Sequence, residues 1–136
     1  YLWYIYRMKI IIPGNPVPKH RPRFSRNGRV YNDQRKYMND LSFIVKAQYN
    51  NPILIGPLSI DITFFMKIPN SLSRLKQSRL NGQYHYAKID LDNLLKLSWD
   101  VLSGIIFEDD CQIALCSSRK LWSDNPRTEF EISSLK

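Results

Sequence analysis

The stretch Asp90-Leu91-Asp92-Asn93-Leu94-Leu95-Lys96 carries two carboxylates two residues apart and an ammonium group four residues after the second. Glu108-Asp109-Asp110 adds a second acidic cluster in a chain that is otherwise basic. Asp90 and Asp92, joined by an acid of the Asp109-Asp110 turn, offer oxygen donors for a hard divalent cation. Mg2+ keeps several of its waters, so two or three carboxylates suffice to hold it. Such a site activates water and stabilises the charge that develops on a phosphodiester. Lys96 lies one helical turn beyond Asp92, placed to touch the scissile phosphate or the leaving oxygen. Its plainer role is an Asp92–Lys96 ion pair, which contributes about 0.2–0.5 kcal/mol on an exposed helix. An Asp-x-Asp pair alone also fits a helix cap or the metal of a sugar-nucleotide transferase. It is not an EF-hand, because the loop glycine and the closing glutamate are missing.

These groups need elements to hold them. Asp92 to Ser103 is expected to be a helix, with Asp92 at its N-cap or first turn, where a carboxylate suits the helix dipole. Its inner face is Leu94, Leu95, Ser98, Val101, Leu102 and Ile105. Asp92, Lys96 and Asp100 line another stripe at i, i+4, i+8, and Gly104 fits the C-terminal end. If Asp90 ends a strand or loop and Asp92 opens the helix, their carboxylates converge. The turn at Glu108-Asp109-Asp110 would then return a third acid to them. Cys111–Leu121 and Thr128–Ile132 read as antiparallel strands joined by the turn Trp122–Pro126.

Upstream, Met8–Ile12 is a β-branched run stopped by Pro13-Gly14. Asp33 to Tyr49 is expected to be a helix with Asn32 or Asp33 as cap and a stripe of Tyr37, Leu41, Ile44, Val45 and Gln48. Pro57–Ile68 alternates cleanly, with Leu58, Ile60, Ile62 and Phe64 inward and Asp61 on the polar face, so it predicts a central, half-buried strand. Ser71–Leu80 is a short basic helix with Ser71 as candidate cap. The fold class is α/β (α+β): a small mixed sheet packed against two longer helices, in a single domain over residues 8–136. Residues 1–7 read as an extension outside it, a tag, a fusion scar or an overlong start, since the pattern becomes domain-like only at Met8; the plainer alternative is an extra edge strand.

The net charge is +8 and the sequence pI about 9.6. That excess favours a polyanionic partner, because neutralising phosphates releases condensed counterions. The charge concentrates in a proline-stiffened arm bearing Lys19, Arg21, Arg23, Arg26 and Arg29, with Asn27-Gly28 as a hairpin turn. Phe24 and Tyr31 interleave aromatic faces on which a base or sugar stacks. Lys88 adds a cation beside the acids. Cys111 and Cys116, five apart, point to opposite strand faces and do not pair. With His20 and His85 scattered, they do not form a structural zinc site. Buried or edge thiols in a reducing compartment, such as the cytoplasm, are the better reading, and no apolar run approaches the length needed to cross a membrane.

The run Asp90-Leu91-Asp92-Asn93-Leu94-Leu95-Lys96, then Asp100-Val101-Leu102, then Ile106-Phe107-Glu108-Asp109-Asp110-Cys111-Gln112-Ile113 resembles the core of the RusA family of Holliday junction resolvases. Pro13-Gly14-Asn15-Pro16-Val17-Pro18 and the basic residues after it are similar to that family's N-terminal region. The resemblance spans Met8 to the C-terminus and is most specific over residues 90–113. It implies a small α/β homodimer, bacterial or from a phage, that cuts four-way DNA junctions with Mg2+ or Mn2+ in recombination and repair. By motif, Asp90, Asp92 and Asp110 match its essential metal-binding acids, and Lys96 its motif lysine. Asp109 is the alternative to Asp110, because the spacing from helix to turn is one residue shorter here. A two-fold dimer suits a junction that must be cut at two symmetric phosphates. The reading in a different class is a basic nucleic-acid-binding module that does not cut.

Overall fold

The computed structural model describes residues 7–21, 23–31 and 34–135. Its elements are β1 (Arg7–Pro13), β2 (Arg23–Phe24), β3 (Val30–Tyr31), α1 (Arg35–Gln48), β4 (Leu58–Lys67), α2 (Arg74–Leu80), α3 (Leu91–Leu102), β5 (Ile113–Ser123) and β6 (Arg127–Ser134), with a 3-10 turn over Asp110–Gln112. The expectation for residues 1–7 falls outside the described residues except at Arg7, which opens β1 opposite Ser133. Asn32 and Asp33, the expected caps of α1, also lie outside them.

The alternation of β4 decides the architecture. Leu58, Ile60, Ile62, Phe64 and Met66 are buried on one face. A strand that apolar is most stable with neighbours on both sides, and the main sheet runs β1-β6-β4-β5. β4 is parallel to β5 and antiparallel to β6. The parallel step is the reason α2 and α3 lie between β4 and β5 in sequence, since parallel strands need a long crossover. This corrects one expectation. The last two strands run in opposite directions but do not pair, because β4 separates them. The short connection after Ser123 crosses over the end of β4, a span of about 10 Å at the usual strand spacing.

Helices α1 and α3 cover the apolar face. Leu41 and Val45 from α1 and Leu94, Leu97, Val101 and Leu102 from α3 pack with Ile10, Ile12, Phe130 and Ile132 in one core. Each such side chain contributes about 1.5–3 kcal/mol by leaving water. Leu97 is buried where the sequence pointed to Leu95, which is half-buried at the core's rim. Gln48, the polar end of the α1 stripe, has a distinct task. Its amide donates to the Ile11 carbonyl at 2.6 Å and accepts from the Ile11 N–H at 2.9 Å, tying α1 to the outer edge of β1.

On the opposite sheet face Asp61 is paired. It accepts from Arg119 Nη2 at 2.7 Å and from the Ser117 hydroxyl at 2.6 Å. The Arg119 hydrogen bond, then that of Ser117, holds its carboxyl below the ordinary value. The cap of α2 is Ser73 rather than Ser71, its hydroxyl accepting from the Lys76 N–H at 3.3 Å. Cys111 lies in the 3-10 turn rather than on a strand, and both cysteines are free and exposed. Among the described residues no helix is long and apolar enough to cross a membrane.

Candidate active site

Helix α3 starts one residue before the expected position. Asp90 is its N-cap, and its backbone carbonyl accepts the Asn93 and Leu94 N–H groups at 3.2 and 3.3 Å. The Asp90 side chain makes no cap bond, so the carboxylate stays outside the helix's own hydrogen bonding. Asp92 lies in the first turn, where the partial positive charge of the helix end favours a carboxylate. Lys96 Nζ stands 3.7 Å from Asp92 Oδ2, with both side chains well exposed. The helix ends at Ser103, whose hydroxyl donates to the Trp99 carbonyl at 2.6 Å. Gly104 follows at φ 84, a backbone that a Cβ disfavours.

The basic arm is docked against this helix. Lys19 N–H donates to the Asn93 carbonyl at 3.0 Å, and Lys19 Nζ stands 2.6 Å from Asp100 Oδ2. Gln34, almost fully buried, holds the arm from the other side. It accepts from the His20 N–H at 2.7 Å and donates to the Pro18 carbonyl at 2.8 Å. The result is a cleft of about 440 Å³ lined by Lys19, His20, Arg21, Asp90, Asp92, Asn93 and Lys96. Five of the residues singled out from the sequence, Lys19, Arg21, Asp90, Asp92 and Lys96, thus meet in one place. Lys88 is exposed just ahead of them, and Arg26 and Arg29 are exposed in the β2–β3 hairpin, where Gly28 takes the positive φ of the turn. Phe24 is 73% exposed. The side chains of Arg23 and Tyr31 lie outside what is described.

The acidic turn does not reach this cleft within one chain. Asp110 feels the charge of Asp100, in the last turn of α3, whereas Asp90 begins that helix. Twelve helical residues rise about 18 Å. Among the described residues no group of three or more His, Cys, Asp or Glu stands close enough to hold a metal ion. The turn itself is firmly built. Gln112 Oε1 accepts from the N–H groups of Glu108 and Asp109 at 2.9 and 3.2 Å, and its amide nitrogen donates to the carbonyls of Leu54 and Gly56, both at 3.0 Å. Asp109 Oδ1 accepts from the Cys111 N–H at 2.9 Å. That bond, then the hydrogen bond with Asp110, holds the Asp109 carboxyl below the ordinary value. The same hydrogen bond to Asp109, then desolvation, then the charges of Asp109 and Asp100, push Asp110 up. Asp109 is therefore engaged by its own turn.

Ile89 precedes Asp90 with φ at 146, an outlier for a β-branched residue and a cost of order 1–3 kcal/mol. Its carbonyl accepts from Lys120 Nζ of β5 at 2.6 Å. His85, at the start of the same loop, is buried against Trp122 with ring centroids 4.2 Å apart, and its Nδ1 has no hydrogen-bond partner among the described residues. Burial, then the charge of Lys120, lower its pKa from the ordinary value. Gln34, Gln112 and Lys120 were not singled out from the sequence. Gln34 and Lys120 bond to backbone groups distant along the chain, which no spacing rule marks, whereas Asp109 and Gln112 form a capping box whose three-residue spacing could have been read.

The sequence pattern of the family Endodeoxyribonuclease RusA matches residues 13–133. The uncharacterized protein YqaN of Bacillus subtilis is 31% identical over 134 residues, which is 92% of this chain and 94% of that one. A crossover junction endodeoxyribonuclease rusA of Lactococcus phage r1t is 32% identical over 78 residues, 57% of this chain and 54% of that one. A 94-residue stretch of protein translocase subunit SecA from Bacteroides thetaiotaomicron is 29% identical, covering 66% of this chain but only 8% of that protein.

Proposed function

The chain belongs to the RusA endodeoxyribonuclease family, and from that membership we propose that it resolves four-way DNA junctions by metal-dependent hydrolysis of symmetric phosphodiesters, in recombination and repair. The observation that carries this reading is the cleft itself. Two carboxylates, Asp90 and Asp92, share it with three cations, Lys19, Arg21 and Lys96. Carboxylates offer the oxygen donors that Mg2+ or Mn2+ takes, and cations beside them suit a phosphodiester.

Asp90 and Asp92 are the residues that would hold the ion, with Asp110 as the third acid. The ion would supply a water activated for attack and neutralise charge building on the phosphate. Lys96 approaches the same phosphate and stabilises the leaving oxygen. Arg21, Arg26, Arg29 and Lys88 bind flanking phosphates and fix the register of the strand. Arg23 belongs to the same arm. Lys19 does so while bridging to Asp100, so part of its charge is already met within the protein. Phe24 offers a face for a base or sugar.

The working form in this reading is a homodimer. The outer edge of β5 is exposed from Ala114 to Ser117, whereas further along, at Lys120, Leu121 and Trp122, the loop from Gly82 to His85 pairs with it. An open strand edge invites another strand. A two-fold pairing along it sets the two β5 strands antiparallel. That carries the Asp110 end of one chain toward the Lys120 end of the other, and Lys120 is bonded beside Asp90. A junction with approximate two-fold symmetry then meets two equivalent sites.

A reading without catalysis draws on one observation: among the described residues of one chain no three acids stand close enough to hold an ion. Junction, duplex and single-stranded DNA, titrated side by side with Mg2+ and Mn2+, decide between them. Symmetric nicking of the junction supports the nuclease. Tight junction binding with no cleavage in either metal replaces it with the binding module.

A further inference from the structure

We propose that Lys120 is a positioning residue for the acid pair, acting through the backbone of the loop that delivers Asp90 to the cleft. This rests on the nuclease reading above. Lys120 holds that loop at both ends. Its carbonyl accepts the His85 N–H at 3.0 Å, and its ammonium donates to the Ile89 carbonyl at 2.6 Å. The five residues from His85 to Ile89 are thereby clamped to one residue of β5.

Ile89 at φ 146 is where the clamp matters. A β-branched residue leaves the left-handed half of backbone space unless its surroundings hold it there. On one side Ile89 packs against the core. On the other its carbonyl is fixed by Lys120. Asp90 follows directly, and its own carbonyl begins α3. A relaxed Ile89 peptide would rotate the Asp90 side chain relative to Asp92, whose place is set by the packed helix. Lys120 is half-buried and its charge points into the protein at a carbonyl, not out into the cleft. It therefore differs from the cations of the arm, whose task is to meet phosphate.

The test compares wild type, Lys120→Met and Lys120→Arg in three measurements: single-turnover junction cleavage in Mg2+, junction affinity without divalent metal, and Mn2+ affinity of the free protein. Misplacing one member of a catalytic pair costs on the order of 10- to 100-fold in rate. Lys120→Met is expected to lose that much cleavage and to bind Mn2+ more weakly, with junction affinity unchanged. Lys120→Arg, which also donates to a carbonyl, is expected to recover most of both losses. If Lys120→Met does not melt cooperatively, Lys120→Gln is read by the same criteria. Cleavage and Mn2+ affinity equal to wild type overturn the inference, as does a loss confined to junction affinity, which would make Lys120 a DNA contact. Absence of cleavage by wild type in any metal overturns the nuclease reading instead, and the Mn2+ comparison still reports on the clamp.

Discussion

Asp90 and Asp110 stand at opposite ends of one helix: Asp90 caps the start of α3, and Asp110 lies within reach of the charge of Asp100 in its last turn. One chain therefore does not gather the three acids around a single ion. If the third acid comes from a second chain, Asp90→Asn and Asp110→Asn should each abolish junction cleavage alone. Mixing the two variants after dissociation should restore activity, because one of the two sites in each mixed dimer then holds all three native acids. A site contained within one chain would give no recovery on mixing, as measured by nicking of a labelled junction.

Gln34 fixes the basic arm by two hydrogen bonds from a buried amide. Removing it leaves the Pro18 carbonyl and the His20 N–H without that partner, at about 1–3 kcal/mol. Gln34→Ala should lower the melting temperature and weaken junction binding together. Its slope of binding against salt should stay near that of wild type, since no phosphate-binding charge is removed.

His85 gives a pH dependence whose sign follows from its surroundings. Burial and the Lys120 charge lower its folded pKa below the ordinary 6.5 of a histidine. The unfolded chain then binds the proton first as pH falls. Stability from this group is complete above 6.5 and is lost as pH drops from there through the folded value. His85→Phe keeps a ring against Trp122 and removes the unpartnered nitrogen. It should be as stable as wild type or more so at pH 7, and less sensitive to acid between pH 7 and 5, as read by melting temperature.

The acids, the motif lysine and the basic arm were legible because their chemistry is carried by residue type and short spacing. β4 was legible for the same reason, since an alternation of Leu58, Ile60, Ile62 and Phe64 has one structural meaning. The pairing of β5 with β4 rather than β6 was not, because strand order depends on which strand is most stable at the centre and on the crossover through α2 and α3. The distance from Asp92 to Asp110 was hidden too. A turn after a helix returns the chain toward its start only if the following strand runs back along the helix, and the acidic turn here lies at its far end. The clamps at Gln34 and Lys120 join side chains to distant carbonyls, and no local pattern announces them.

The central claim is that Asp90 and Asp92 perform hydrolysis in a cleft whose cations hold the DNA. The most direct measurement is cleavage and binding of a four-way junction by Asp92→Asn in Mg2+. Loss of cleavage by about 100-fold or more is expected. Junction affinity should stay within about twofold, because phosphate contacts carry it. Cleavage by Asp92→Asn at the wild-type rate, or wild-type cleavage undiminished in excess EDTA, would contradict the account.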